Sequence, residues 1–470
     1  MKIKKISENV YEIPKEGKML VPGRIFASEK LVREIGEKTI EQIKNVAMLP
    51  GIVKSSLAMP DAHMGYGFSV GGVAAFDLDS GIISPGGIGF DINCGIRLLS
   101  SNLSKEDFMP KRKEVTIEIK KNVPTGVGTK SEFKLKNKEI DEVMGKGVQW
   151  ALDRDYGNKK DAENCEDGGC IKGANPEKVS AKAKGRGLNQ LGTLGAGNHF
   201  LEIQEVEKIF DKKKADAFGI KKGKICILIH SGSRGLGHQV ASDYVKKMED
   251  EYGYKKLPDR QLAYAPIKSE LGMDYLSAMR AAANFAFVNR HLIMCQVRKA
   301  FKKYFPDSKL DLVYDVAHNI AKFEKFKING KEKELCVHRK GATRSFGPGR
   351  KELPERYKKT GQPIFIPGSM GTYSYVLVGT KEARDISFAS TAHGSGRVWS
   401  RSHAKKTLSF DDVKKALKRH DVYIETDSIK GVIEEAPEAY KDVNEVVKVS
   451  DEVGIGKLVA RLKPVSVIKG

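Results

Sequence analysis

The sequence predicts an α+β fold in which strands and helices follow one another without a regular repeat. Short apolar runs such as GGVAAFD (71–77) and ICILIH (225–230) end in Gly, His or Asp and are typical of buried strands. Helical patterns lie between them, and the longest, over 272–304, is amphipathic. Because strands and helices do not alternate regularly, a Rossmann fold or a TIM barrel is not expected. We therefore expect one large mixed α/β domain over residues 1–470, with an irregular polar insertion near 155–180.

The N-terminal region predicts one strand and then one helix. KIKKISENVYEIP (2–14) alternates in polarity as a strand does, and apolar residues recur at helical spacing from Ser28 to Val46. Two later runs, KLDLVYDVAH (309–318) and YSYVLVG (373–379), predict further buried strands.

A lysine motif at Lys327-Ile-Asn-Gly330 resembles that of classical nucleotidyl-transferring ligases. However, the flanking residues FKINGKEKELCV alternate around Asn329-Gly330, which is the pattern of a tight β-hairpin turn. We therefore predict a hairpin here rather than a nucleophilic lysine. No G-x4-G-K-[ST] loop is present, so the chain is not an ordinary P-loop NTPase.

Composition predicts a soluble, cytoplasmic protein without a membrane partner. The N-terminus lacks the apolar segment of a signal peptide, and no apolar run approaches the roughly 20 residues that a membrane helix requires. The six cysteines are scattered, which fits a reducing compartment. Cys165 and Cys170 form the only close pair, and with no second pair to complete a zinc site we interpret them as incidental.

The formal net charge of +22, from 82 Lys+Arg against 60 Asp+Glu, indicates an anionic partner. RNA or DNA is the partner that such a surplus favours. The alternative is the Lys-rich surface of heat-adapted proteins, in which Lys and Glu are both enriched. That alternative explains many charges but not their imbalance.

Five residues on glycine-flanked turns predict a divalent-metal site. They comprise one thiol, one carboxylate and three imidazoles, the donors that transition metals prefer: Asp91, Cys94, His199, His230 and His318. Cys94 as a thiolate could bridge two cations, with Asp91 completing one of them. The alternative is a buried structural cysteine beside a helix-capping aspartate. Ligand softness alone favours zinc, but the residues leave manganese and other ions equally open.

A second set of glycine-rich turns predicts a bound nucleotide. In Gly192-x-x-Gly195-x-Gly197-Asn198-His199, main-chain N–H groups can converge on an anion, although the glycine order is not that of a dinucleotide-binding fingerprint. Glu202 could accept hydrogen bonds from guanine N1–H and its exocyclic amine, and Phe200 could stack on a base.

Other polar side chains in such turns could bind the phosphate and ribose groups of a nucleotide. Arg234 is expected to bind phosphate, and Ser369 and Ser374 could donate to phosphate or ribose oxygens. His238 suits packing better than metal ligation. His393, in AHGSGR, would be exposed at a turn and could attack a nucleotide α-phosphorus, although a further metal ligand or a structural histidine remain alternatives.

These motifs together resemble the RtcB family of RNA-splicing ligases. From about residue 59 to 470 they occur in the family's order: MPDAHMGYGFSVGG, GGIGFDINCGIR, LGTLGAGNHFLE, HSGSRGLGH, AHN, RKGATR, PGSMGTYSY, AHGSGR and IKG. The resemblance implies an RtcB-like α/β fold and a GTP-dependent ligase that joins a 3′-phosphate or 2′,3′-cyclic phosphate RNA end to a 5′-hydroxyl end, in tRNA splicing or RNA repair. It implies two Mn²⁺ ions held by the five predicted ligands, and His393 as the residue that takes GMP from GTP.

The resemblance also implies roles for further residues. Positions matching guanylate contacts are Asn198, Phe200, Glu202, His318, Asn319, Ser369, Ser374, His393, Gly394, Ser395, Gly396, Tyr440 and Lys469. RNA-phosphate contacts are expected from Arg186, Arg234 and Arg401. Tyr373 departs from the smaller residue expected in GSMGT-x-SY, so we expect local packing at the nucleotide to differ. An archease-type activator is a further implied partner, and a monomer is the default state.

Two other functions remain open from the residues alone. A metal-dependent phosphodiesterase or phosphatase acting on RNA ends would use the same metals and arginines but would not need His393, Glu202 or Lys469. A non-catalytic RNA-binding protein would use the basic surface but would leave five candidate ligands without a role.

Overall fold

The computed structural model describes residues 3–255 and 257–470, and its elements confirm the mixed α+β prediction. The strands are β1 (Lys4–Ser7), β2 (Val10–Ile13), β3 (Gly23–Phe26), β4 (Ile52–His63), β5 (Val70–Asp77), β6 (Ile82–Ile83), β7 (Gly95–Ser104), β8 (Phe200–Ile209), β9 (Lys224–Ser231), β10 (Ala265–Pro266), β11 (Leu310–Ala317), β12 (Asn319–Ile328), β13 (Lys331–Lys340), β14 (Ala342–Arg344), β15 (Pro363–Ile366), β16 (Ser374–Val378), β17 (Ser390–Ala392), β18 (Tyr423–Thr426) and β19 (Lys457–Lys469).

The α-helices are distributed between these strands. They are α1 (Glu29–Glu34), α2 (Glu37–Val46), α3 (Lys105–Phe108), α4 (Arg112–Asn122), α5 (Asn137–Lys146), α6 (Val148–Leu152), α7 (Lys159–Glu163), α8 (Ala181–Gly187), α9 (Lys212–Phe218), α10 (Arg234–Tyr252), α11 (Glu270–Tyr304), α12 (Ala383–Ser387), α13 (Arg401–Thr407), α14 (Phe410–Arg419), α15 (Ile429–Glu434) and α16 (Val443–Val453).

Two large, mainly antiparallel sheets organise the described part of the chain. One has the strand order β1-β2-β3-β4-β5-β13-β12, in which only β3 and β4 pair in parallel. The other has the order β11-β7-β9-β8-β19-β16-β15, with β18 added in parallel to β19. Two small pairs, β6 with β10 and β14 with β17, complete the pairing in residues 3–255 and 257–470. The predicted strands at 71–77, 225–230, 309–318 and 373–379 are confirmed as β5, β9, β11 and β16.

The long helix α11 is the centre of the helical part. Ser269 caps its N-terminus by accepting a hydrogen bond from Gly272 N. The predicted length is confirmed, but the one-sided amphipathic pattern is wrong: consecutive residues such as Ala281, Ala282 and Ala283 are all buried. The reason is that α4, α5 and α10 pack around the helix while β9 covers a further face. Buried small residues let these neighbours approach closely.

The N-terminal predictions need two corrections. The expected single strand is a hairpin of β1 and β2, because Asn9 adopts a left-handed φ of 57° and turns the chain; Lys2 lies outside the described residues. The expected helix over 28–46 is broken into α1 and α2, since Gly36 takes an extended conformation and begins the second helix. The hairpin predicted at Asn329-Gly330 is confirmed, with φ of 49° and 80° joining β12 and β13.

The polar segment near 155–180 carries buried side chains. Glu166 is fully buried and forms ion pairs with Lys322 and, at 3.4 Å, with Arg344. The backbone of Cys165 pairs with that of Asp315 in β11 as an isolated parallel β-bridge. These contacts anchor the segment against β11 of the second sheet, β12 of the first sheet and β14. Over the ranges 3–255 and 257–470, no helix combines the length and apolarity needed to cross a membrane.

Candidate metal centre and nucleotide pocket

The antiparallel register of the second sheet gathers the candidate ligands at one edge. Gly95, the first residue of β7, pairs with Ser231 at the end of β9 and with Ala317 at the end of β11. Phe200, the first residue of β8, pairs with His230. Residues that precede β7 and β8 therefore meet residues that end β9 and β11. This explains how turns far apart in sequence supply one cluster.

All five predicted ligands lie in that cluster. Cys94 Sγ is 3.3 Å from both His199 Nε2 and His230 Nε2. His230 Nε2 is 3.3 Å from His318 Nε2, and His199 Nε2 is 2.8 Å from Asp91 Oδ2. The donor atoms form two overlapping groups, Asp91–Cys94–His199 and Cys94–His230–His318, that share the Cys94 sulfur. The arrangement fits two neighbouring cations with a common thiolate.

Electrostatics at the cluster fit a cation-binding role. Burial, with Asp91 nearby, raises the pKa of the Cys94 thiol well above its ordinary value, so only an added cation would make the thiolate favourable there. Burial also lowers the pKa of His230 and of His318 well below their ordinary value, which leaves neutral imidazoles, the form that ligates metals. The donor set therefore suits divalent metal ions.

His393 follows β17 and is held by a buried carboxylate. Its Nδ1 lies 2.5 Å from Asp61 Oδ2, and the same oxygen accepts hydrogen bonds from the backbone N–H of His393 (3.0 Å) and of Gly394 (3.2 Å). Asp61 is completely buried in β4. With Nδ1 occupied, the free lone pair of a neutral His393 ring is on Nε2. The ring lies next to the candidate metal ligands, with its centroid 4.8 Å from that of His318.

Asp61 is a residue whose role the sequence analysis missed, although it lies in the MPDAHMGYG motif. Burial alone would raise its pKa, but the interactions with His393 keep the pKa below the ordinary value, so the group is a carboxylate. Gly396 is required nearby, since a Cβ on it would stand 2.1 Å from the Asp61 carbonyl oxygen and its φ is 75°.

Glu202 and Ser374 meet through Gln204, a residue not predicted to be in the site. Gln204 Nε2 donates to Glu202 Oε2 at 2.6 Å and to Ser374 Oγ at 2.8 Å. Glu202 Oε1 is buried without a partner among the described residues. Burial raises the pKa of Glu202 to about 8, against the opposing effects of Gln204 and of the Lys469 charge. An orphaned acceptor of this kind suits a ligand N–H donor.

A buried carboxylate, Glu435, contacts Tyr440 and Lys469, two of the residues predicted to bind the nucleotide. It accepts from Tyr440 OH and from Arg397 Nη1 at 3.2 Å, and lies 3.9 Å from Lys469 Nζ and 3.4 Å from Arg401 Nε. Burial would raise its pKa, but Lys469 and Arg397 keep it below the ordinary value. Arg397 ends the AHGSGR motif, but Glu435 lies in none of the motifs, and only the fold joins the two to Tyr440.

A cavity of about 840 Å³ joins the candidate metal ligands to these groups. Most predicted residues line it: Asp91, Cys94, Arg186, Asn198, His199, Phe200, His230, Arg234, His318, Asn319, Ser369, His393, Gly394, Ser395, Gly396, Arg401, Tyr440 and Lys469. Glu202 and Ser374 are buried close by but do not line its wall. A volume of this size accommodates a nucleotide and part of a second substrate.

The three predicted arginines differ in exposure. Arg401 is half-exposed at the cavity mouth, and Arg186 lines the cavity while donating to Gln239 at 3.0 Å. Arg234 is largely buried and is within 3.4 Å of His199 Nδ1. Its guanidinium is therefore engaged with the cluster as well as facing the cavity.

Of three further side chains, Lys340 and His238 line the cavity and Tyr373 does not. Lys340, which the sequence analysis did not select, lines the cavity with its Nζ on the carbonyls of Tyr66, Phe68 and Gly86, and burial lowers its pKa to about 7. His238 lines the cavity outside both ligand groups. Tyr373 stacks under Arg461, 4.3 Å from ring centroid to guanidinium carbon, and does not line the cavity.

The site places five candidate metal ligands at one edge of the second sheet and His393, which follows β17, next to them, an arrangement that suits a metal-dependent enzyme. The family model described as "tRNA-splicing ligase RtcB" matches residues 42–470. A tRNA-splicing ligase RtcB from Archaeoglobus fulgidus is 51 % identical over 477 residues, covering 100 % of this chain and 99 % of the relative. The corresponding protein of Nanoarchaeum equitans is 52 % identical over 476 residues, covering all of both chains. An RNA-splicing ligase RtcB homolog 1 from Entamoeba histolytica is 50 % identical over 438 residues, covering 92 % of this chain and 83 % of the relative.

The chain belongs to the RtcB family. It is therefore an enzyme of the ligase class, and the resemblance inferred from the motifs is confirmed.

Proposed function

We propose that the chain is a GTP- and manganese-dependent RNA ligase that joins 3′-phosphate or 2′,3′-cyclic phosphate ends to 5′-hydroxyl ends. The observation that carries the proposal is the His393–Asp61 pair: Nδ1 of the histidine is held by a buried carboxylate, and the ring lies beside the two groups of candidate metal ligands. The names of its relatives support tRNA splicing as the setting.

Asp91, Cys94, His199, His230 and His318 would hold the two ions. Bound there, divalent ions would neutralise phosphate charge and stabilise the charge that develops on the transferred phosphoryl group. Manganese is proposed on the family resemblance; the mixed thiolate, imidazole and carboxylate donors are compatible with it.

His393 supplies the covalent step. Its Nε2 attacks the α-phosphorus of GTP, so a P–N bond forms as the P–O bond to pyrophosphate breaks. Asp61 keeps the proton on Nδ1 and stabilises the positive charge that the ring acquires. An oxygen of the RNA 3′-phosphate then attacks the same phosphorus, which breaks the P–N bond and leaves GMP on the RNA.

The final step joins the RNA ends. The 5′-hydroxyl oxygen attacks the RNA 3′-phosphorus and loses its proton, and GMP departs with the bonding pair. A cyclic phosphate end first takes up one water to become a 3′-phosphate. Arg186, Arg234 and Arg401 are proposed to hold RNA phosphates, in keeping with the net charge of +22.

Guanylate is proposed to lie along the Phe200–Lys469 side of the cavity. Phe200 offers a ring face, with Lys469 Nζ 5.5 Å from its centroid. Glu202 would accept from guanine N1–H and the exocyclic amine, which gives the unpartnered Oε1 its partner. The other predicted contacts are Asn198, His318, Asn319, Ser369, Ser374, Gly394, Ser395, Gly396 and Tyr440.

A ligation assay separates this proposal from a metal-dependent phosphodiesterase. Two RNA strands, one ending in 3′-phosphate and one beginning with 5′-hydroxyl, are incubated with the protein, Mn²⁺ and GTP, and the products are resolved on a gel. We expect a joined strand that requires GTP, and none with His393→Ala. Cleavage or dephosphorylation without joining, unchanged in the variant, would favour the phosphodiesterase.

A further inference from the structure

The middle of helix α11 contacts the backbone on which the candidate metal ligands are carried. Arg290 is fully buried, and its Nη1 donates to the carbonyl oxygens of Asn93 (2.7 Å) and Ser231 (3.0 Å). These two residues are the immediate neighbours of Cys94 and His230 in the chain. One guanidinium therefore joins the turn before β7 to the end of β9.

The same guanidinium also reaches the third ligand-bearing strand. Its Nη2 donates to Asn93 Oδ1 (3.0 Å) and to Asp315 Oδ1 (2.6 Å), and its Nε contacts both Asp315 oxygens. Asp315 lies in β11, three residues before His318. All five N–H groups of Arg290 are thus occupied, and three segments that carry ligands are fixed to one rigid group.

The local sequence is adapted to this guanidinium. Asn93 takes a left-handed φ of 52°, which turns both its carbonyl and its side chain toward Arg290. A Cβ at Gly95 would stand 3.1 Å from the guanidinium carbon and 2.4 Å from the Val316 carbonyl oxygen, so only glycine fits there. The neighbouring Asn289 holds the adjacent turns, with Nδ2 on the carbonyls of Thr193 and Gly232, both at 3.1 Å.

We propose that Arg290 is a positioning residue for the metal centre: its guanidinium fixes the backbone of Cys94 and His230, so that the donor atoms are preformed in the folded chain. The proposal rests on the proposed function of that cluster as a metal site. Lysine could not replace it, because a single ammonium cannot span three segments with planar geometry. Groups that orient metal ligands typically change metal affinity by about 10–100-fold when they are lost.

Arg97 provides a matched control. It is equally buried, and its Nε donates to an oxygen of the same carboxylate, Asp315 Oδ2, at 2.7 Å. Its remaining donors go to His291, Met294 and Cys165 rather than to the ligand-bearing turns. Replacing Arg97 therefore removes a buried ion pair of the same kind without removing hydrogen bonds to the backbone beside Cys94 and His230.

The test is a Co²⁺ titration of the full chain after its metals have been removed with EDTA. Parent, Arg290→Lys and Arg97→Lys are followed by the near-ultraviolet thiolate-to-cobalt band, and circular dichroism confirms the fold of each. We expect Arg290→Lys to bind Co²⁺ about 10–100-fold more weakly and with a weaker thiolate band, while Arg97→Lys binds as the parent does. Should Arg290→Lys not fold, Asn93→Gly removes one acceptor of Arg290 while retaining the turn, and weaker binding is expected there as well.

The possible outcomes are distinct. Equal affinity and band intensity in the parent and Arg290→Lys would overturn the proposal, as would equal weakening by Arg97→Lys or parent-like binding by Asn93→Gly. A parent protein that gives no thiolate band with Co²⁺ would instead contradict the metal site itself. None of these outcomes requires a measurement of enzyme activity.

Discussion

Replacing Asp61 with Asn is expected to slow formation of the guanylated enzyme by about 10³–10⁴-fold, the scale seen when a histidine loses its orienting carboxylate. The carboxylate accepts from Nδ1 of His393 and from two backbone N–H groups. All three bonds go to the same oxygen, Asp61 Oδ2, so an asparagine oxygen in its place would still accept them but would carry no charge. The positive charge that the ring acquires when Nε2 attacks GTP would then lack its stabilising carboxylate.

The measurement is a single-turnover assay of GMP incorporation from labelled GTP, with Mn²⁺ or Co²⁺ binding as a control. Metal binding should be retained, because Asp61 belongs to neither ligand group. A variant that guanylates at a rate within a few-fold of the parent would show that Asp61 does not set the state of His393.

The second large effect is expected at Glu202, where glutamine should abolish the preference for guanine. The ratio of kcat/KM for GTP over ATP should fall by about 10⁴, because a site built to satisfy buried hydrogen bonds rejects a base that lacks them. A glutamine offers one acceptor and one donor where guanine presents two donors. An unchanged nucleotide preference would place guanine recognition elsewhere.

The buried carboxyl of Glu202 also predicts that the affinity for GTP depends on pH. Burial raises the pKa of Glu202 to about 8 in the free protein, so below that value the carboxyl must lose a proton before guanine binds. GTP affinity should therefore increase by up to about tenfold per pH unit from about pH 6 to about pH 8, and level off above it. Glu202→Gln should bind weakly without this slope. The dissociation constant measured across the range checks both statements.

Much of the metal centre could be predicted from the sequence, because each ligand adjoins a glycine turn and a short apolar run. Cys94 and His199 come before strands, whereas His230 and His318 come at the ends of strands. Only the antiparallel register shows that these are the same edge of one sheet. Strand pairing is a long-range property, so local patterns predicted the five candidate ligands and a shared site but not the strand register that brings them together.

The sequence did not predict the residues whose role depends on a partner far away along the chain. Asp61 lies within the buried run of β4 and meets His393 across 332 residues of chain. Gln204 lies two residues after Glu202, on the same face of β8, and its bond to Ser374 depends on β19, which pairs with both β8 and β16. Arg290 belongs to helix α11, whose sequence pattern predicts an exposed face, because the sequence does not show which elements will enclose it. A buried polar side chain is identified by its partners, which only the fold provides.

The most direct test of the central claim is intact-mass analysis of the purified protein after incubation with GTP and Mn²⁺, beside His393→Ala. We expect the mass of one GMP to be added to the parent, to be lost on acid treatment, and to be missing in the variant, as a phosphoramidate on His393 requires. No added mass with any divalent metal, or an equal addition to His393→Ala, would contradict the histidyl-guanylate and with it the proposed route to ligation.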